Sequence, residues 1–217
     1  MAPICFFYAP YTSRYIEHRY APRRMRKDHL KITHDIYYQS NLNSFLIFLI
    51  FLQVRINLYQ MKIVLLVVGK TDNSYWNDAL KAYRERLMHY IPFEMEVIPD
   101  VKNVKNMPEA QQKDLEGSMI LKSLQTGDCC VLLDEKGKEF TSVQFASWLE
   151  KKMHAVPKRL VFLIGGPYGF SDEVYHAITE KIALSKMTFS HQMIRPIFVE
   201  QLYRAMTILR NESYHHK

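Results

Sequence analysis

Leu160-Val-Phe-Leu-Ile-Gly-Gly-Pro-Tyr-Gly-Phe170 is the stretch on which the fold turns. Five consecutive apolar residues read as a strand covered on both faces. The strand stops in a Gly-Gly-Pro-x-Gly turn, which exposes backbone amides and lets a ligand approach with no side chain in the way. The spacing fits neither a Walker loop nor a Gly-x-Gly-x-x-Gly fingerprint. Taken alone, an ordinary tight strand-to-helix turn is the plainer reading.

Working outward, further apolar runs occupy 62–68, 94–98, 129–133 and 182–184. Between them lie helical periods. Trp76, Leu80, Tyr83, Leu87 and Tyr90 recur at three- and four-residue steps and mark one apolar face. Residues 108–125 and 141–153 read as helices, the second with Thr141 as N-cap. Ser171-Asp-Glu173 opens a short helix with acids in its first turn. The last helix runs from about 194 to 210, with Ile194, Phe198, Leu202, Ala205 and Leu209 on one face. This alternation predicts an α/β fold with a single, mainly parallel sheet and flanking helices. Ligands in such sheets sit beyond the carboxyl ends of the strands. That rule selects Leu133-Asp134, Gly165-Gly166 and the segment from 184 onward.

The chain has 217 residues and a formal charge of +7, unevenly placed. Residues 1–60 hold eight Lys/Arg against three acids, leaving 21 against 19, or +2, for residues 61–217. All seven glycines fall after residue 60, whereas the first sixty residues contain seven Tyr and five Phe. The apolar run Phe45–Leu52 is too short for a bilayer, which needs about 20 residues. It also begins too late for a signal peptide. A non-structural extension, a targeting segment and an RNA-binding arm are all compatible with residues 1–60. The expectation is the first, with Met61 as the functional start and 61–217 as the domain. Cys5, Cys129 and Cys130 make no disulfide framework, and no Cys or His spacing matches a zinc site, so a reducing cytoplasm without a metal is expected.

Leu184-Ser-Lys-Met-Thr-Phe-Ser-His-Gln-Met-Ile-Arg195 joins a strand to the final helix. Its Ser185, Lys186, Thr188 and His191 offer hydrogen bonds, and Leu184, Met187 and Phe189 offer apolar walls; a solvated loop has the same composition. Glu200 and Arg204 sit at i,i+4, where a surface ion pair is the plain reading. The tail Glu212-Ser-Tyr-His-His-Lys217 is either a frayed terminus or a set suited to stacking on a base and contacting phosphate.

Together these pieces resemble the ribosomal RNA large subunit methyltransferase H family, small members of the SPOUT class of knotted methyltransferases. The resemblance is carried by Met61-Lys-Ile, Leu132-Leu-Asp134 with Gly137-Lys138, Ile164-Gly-Gly-Pro-Tyr-Gly169, Leu184–Phe189, His191-Gln-Met-Ile-Arg195, Glu200-Gln-Leu-Tyr-Arg-Ala205 and Tyr214-His215. It covers 61–217 and none of 1–60. It implies methylation of N3 of a pseudouridine in large-subunit rRNA on the assembled ribosome, with S-adenosylmethionine as cofactor. It further implies a homodimer, a C-terminal trefoil knot, no membrane and no metal. Cofactor contacts carry over to Leu133, Gly165, Leu184, Ser185, Lys186, Met187, Thr188 and Phe189. Arg195 is expected to hold the nucleobase oxygen or a phosphate, with His191 or His215 assisting proton removal. Tyr203, Arg204, Tyr214 and His215 are the expected RNA contacts. Pro196 departs from the aliphatic residue common after that arginine, a change tolerated in a first helical turn. The modest charge of the domain keeps a non-catalytic ribosome- or RNA-binding factor as the alternative.

Overall fold

A computed structural model describes residues 61–102 and 104–215; the reading of residues 1–60 lies outside these. Strands and helices alternate: β1 (Lys62–Val68), α1 (Ser74–Leu87), β2 (Phe93–Ile98), α2 (Glu109–Ser123), β3 (Cys129–Glu139), α3 (Ser142–Ala155), β4 (Arg159–Ile164), α4 (Asp172–Ala177), β5 (Lys181–Ala183) and α5 (Ile194–Leu209). All strand pairs are parallel, in the order β2-β1-β4-β3-β5. Every expected element is present.

The continuous apolar runs are explained by two cores, one on each face of the sheet. Ile63, Leu65 and Val67 pack with α1, α3 and α5, whereas Val64, Leu66 and Val68 pack with α2 and α4. A strand with both faces covered has no polar side to show in its sequence. On α5, Phe198, Leu202 and Ala205 are almost wholly buried, as the period predicts. Thr141 and Gln144 complete a reciprocal capping box at the start of α3. Ser171 caps α4 by accepting from the Val174 amide. Pro196 falls in the first turn of α5, where its missing N–H has no intrahelical partner to lose.

One boundary differs from expectation. β3 extends to Glu139 instead of stopping at Leu133. Leu133 and Lys138 both stand opposite Ile182, so residues 134–137 bulge out of the ladder before pairing resumes. A bulge re-aims side chains at the end of a strand. Here it lifts Asp134, Glu135 and Lys136 to the carboxyl end of the sheet.

Candidate functional site

The β3 bulge, the turn after β4 and the segment after β5 enclose a cavity of about 480 Å³. That volume falls within the range for small-molecule sites. Of the eight residues expected around a cofactor, seven line it: Leu133, Gly165, Leu184, Ser185, Met187, Thr188 and Phe189. Lys186 does not. Its side chain is 82% exposed and its Nζ lies 3.8 Å from Glu139. Met187 is 76% exposed and leaves an apolar wall at the rim.

Two polar links hold this rim. The Thr188 hydroxyl donates to Glu135 at 2.6 Å, tying the segment after β5 to the bulge. The Tyr175 hydroxyl on α4 donates to Asp134 at 2.5 Å, and Asp134 also accepts from the Lys136 amide. Burial, then the Asp134 carboxylate, push the Tyr175 phenol well above its ordinary range, so it stays a donor. Sequence reasoning had pointed to Asp134 by its place at a strand end. It had no signal for Tyr175, whose approach depends on how α4 packs.

His191 lines the cavity half-buried. Burial holds its imidazole below the usual value, with the Arg195 charge acting the same way and Asp100 and Asp72 partly opposing. A neutral ring at pH 7 can accept a proton. The depressed value also sets a stability profile. An unfolded His titrates near 6.5, so as pH falls the unfolded chain takes up that proton first. The contribution of His191 is complete above about pH 6.5 and is lost as pH falls through the lower folded value. H191Q is expected to flatten the decline in stability below pH ~6.5, read by urea unfolding at several pH values. An unchanged pH slope in H191Q would show that His191 does not set it.

Arg195 departs from expectation. It is 0% exposed and absent from the cavity lining. Its Nη1 donates to the Gly69 carbonyl and the Thr71 hydroxyl, both at 2.9 Å. Its Nη2 donates to the Val68 carbonyl at 2.6 Å and its Nε to the His191 carbonyl at 3.0 Å. With four of its five N–H donors engaged and no exposed surface, the guanidinium closes the end of β1 outside the cavity. Beside it, Gln192 pairs with Asp72 in both directions, accepting from the Asp72 amide and donating to its carboxylate. The loop after β1 and the start of α5 are fastened together through these residues. Sequence analysis missed Thr71, Asp72 and Gln192, because contacts across some 120 residues leave no local pattern.

The expected RNA contacts form a second group. Tyr203 packs edge-on against Tyr214 and Tyr90. Arg204 stacks over the Tyr214 ring and pairs with Glu200 at 2.5 Å, and the Tyr214 hydroxyl donates to Glu200 at 3.0 Å. His215 is half-buried, with Nδ1 lacking a hydrogen-bond partner among the described residues. None of these four lines the cavity. Tyr203 is nine residues beyond Ile194, about 13 Å along the helix at 1.5 Å per residue. Among the described residues no group of His, Cys, Asp or Glu could hold a metal ion. Nor is any described helix long and apolar enough to cross a membrane.

Comparison with known proteins adds a family. The family model described as predicted SPOUT methyltransferase matches residues 61–215. Over 157 residues, 72% of this chain, the sequence is 72% identical to the ribosomal RNA large subunit methyltransferase H of Parabacteroides distasonis, covering all of that protein. The proteins of the same name from Phocaeicola vulgatus and Bacteroides fragilis are 64% and 60% identical over the same length, again in full.

Proposed function

This chain belongs to the SPOUT methyltransferase family, and from that premise we propose that it methylates large-subunit ribosomal RNA with S-adenosylmethionine, at N3 of a pseudouridine in the assembled ribosome. The observation that carries the reading is the cavity itself. Three segments distant in sequence, the β3 bulge, the turn after β4 and the stretch after β5, bring these seven residues around one space, with a neutral imidazole in its wall. The apolar rim residues and the Gly165-Gly166 backbone suit a flat adenosine with polar edges, and S-adenosylmethionine, when bound, supplies an activated methyl group.

The chain's own residues would then do three things. The walls hold the donor so that its methyl points at the acceptor, and positioning of this kind supplies much of the acceleration in a group transfer. His191 accepts the proton that the ring nitrogen must lose, and is the better-placed base because it lines the cavity. Arg195 acts by position: it fixes the His191 carbonyl and the end of β1 instead of touching substrate. Tyr203, Arg204, Tyr214 and His215 are proposed to meet RNA. On one chain they stand apart from the cavity, so the proposal includes a homodimer, in which a second copy can bring them near it. The knot belongs to the same proposal. After edge strand β5 the chain returns across the ends of β3 and β4, and Arg195 ends against β1; a threaded C-terminus requires such a path. The site of action would be the cytoplasm, where ribosomes are.

The test is methyl transfer by the full chain from radiolabelled S-adenosylmethionine to assembled ribosomes, free large-subunit rRNA and free nucleosides, with the product mapped by mass spectrometry. Methylation of a single pseudouridine in ribosomes is expected. Binding to ribosomes without donor binding would instead identify a non-catalytic factor, and turnover of free nucleosides a small-molecule enzyme.

A further inference from the structure

We propose that Glu116 is a positioning residue for the methyl-donor site, its carboxyl propping the turn after β4 from behind so that the backbone of Gly165 and Gly166 faces the cavity. The inference rests on the reading of that cavity given above. Glu116 lies on α2 and is 3% exposed, though nothing in the mechanism uses it. One carboxyl oxygen accepts from Gln112 Nε2 at 2.8 Å, one helical turn earlier, which fixes the side chain's direction. The other, Oε2, is buried with no hydrogen-bond partner among the described residues. It is aimed at Gly166: a Cβ built there would lie 2.2 Å from it. The oxygen therefore rests against the glycine's Cα–H, a weak donor, and any larger residue at 166 would strike it.

The next residue on the helix completes the clamp. A Cβ at Gly117 would lie 2.1 Å from the Ser171 hydroxyl oxygen, so α2 packs directly on the residue that caps α4. Glu116 and Gly117 thus touch the two ends of the segment from Gly166 to Ser171. Between those ends the turn is closed by the Gly169 amide donating to the Gly166 carbonyl at 3.1 Å, and Ile164 to Phe170 line the cavity. An unpaired buried carboxyl is costly to keep. Burial also raises the Glu116 pKa above the usual carboxylate range, with Asp100 adding to the rise and Gln112 opposing it. A feature of that cost, pressed on the turn that forms one cavity wall, fits a part whose geometry matters to the ligand.

The experiment measures S-adenosylmethionine affinity of the full chain by calorimetry, together with KM and kcat. E116A is expected to raise Kd and KM for the donor at least tenfold, while kcat at saturating donor stays within about threefold. E116Q, of equal length and still able to bond Gln112, is expected to restore affinity to within threefold of wild type. G166A should lose affinity as E116A does, and the double variant should lose less than the two effects combined, because the shortened side chain makes room for the added methyl. Should E116A fail to fold, E116D withdraws the prop by one methylene and is expected to raise KM severalfold. Donor affinity of E116A or E116D within twofold of wild type would overturn the proposal, as would strict additivity with G166A. Absence of donor binding by the wild-type chain would overturn the reading of the cavity instead. Coupling of the same pair in thermal midpoint would then decide whether Glu116 props the turn.

Discussion

R195A should unfold at a midpoint lower by roughly ten degrees, a loss of about 3–5 kcal/mol for a domain of this size. Four hydrogen bonds vanish together, to Val68, Gly69, Thr71 and His191. Three of the acceptors are backbone carbonyls, which alanine leaves without this donor. Each buried carbonyl so stranded costs about 1–3 kcal/mol, and the sum is softened by relaxation and entering water. R195K keeps the charge but offers one compact ammonium where a planar guanidinium reached four oxygens, so about half of the loss should remain. Activity should fall with stability in both variants, because the His191 carbonyl is among the released groups. Differential scanning calorimetry together with methyl transfer separates this reading from the one taken from sequence. A variant that keeps its melting temperature within two degrees and loses only kcat would return Arg195 to direct substrate contact.

That contrast marks where sequence reasoning reached its limit. The strands were legible because each is a short run of β-formers, and the helices because their apolar faces repeat every three or four residues. The cap at Thr141 was legible for the same reason: the residues that make it are neighbours. The walls of the cavity were found at two strand ends and one connecting segment, since a parallel sheet directs ligands there. The strand order was not legible, because any permutation of buried parallel strands carries the same hydrophobic pattern. The β3 bulge was missed because Asp134 to Lys136 are polar and read as the end of a strand. Arg195 was misplaced for a related reason. An arginine four residues after a histidine, at the end of a polar segment, reads as an exposed site residue. Three of its four partners are the backbone oxygens of Val68, Gly69 and His191, and a carbonyl has no identity in a sequence. Glu116 was invisible as well, lying in a helix whose charges otherwise read as a solvated face.

Replacing Gly165 should damage the donor site more than the fold. A Cβ at residue 165 would lie 2.8 Å from the Gly169 carbonyl oxygen and 2.9 Å from its carbon. Both are backbone atoms, so no side chain can rotate away. The turn must open, and with it the wall that runs from Ile164 to Phe170. G165A is therefore expected to weaken S-adenosylmethionine binding by about a hundredfold, near 2.7 kcal/mol. The β4 core below the turn is untouched, and the thermal midpoint should fall by only a few degrees. G127A provides the comparison. Gly127 has a φ of +91° with nothing within 4 Å of an added Cβ, and it is not part of the cavity. Its replacement costs backbone strain of about 1–2 kcal/mol and should leave donor affinity unchanged. Calorimetric titration of both variants separates close approach from conformational strain. Equal affinity in G165A and wild type would mean that the backbone at this turn does not form the donor's seat, whereas equal loss in both variants would trace the effect to general destabilisation.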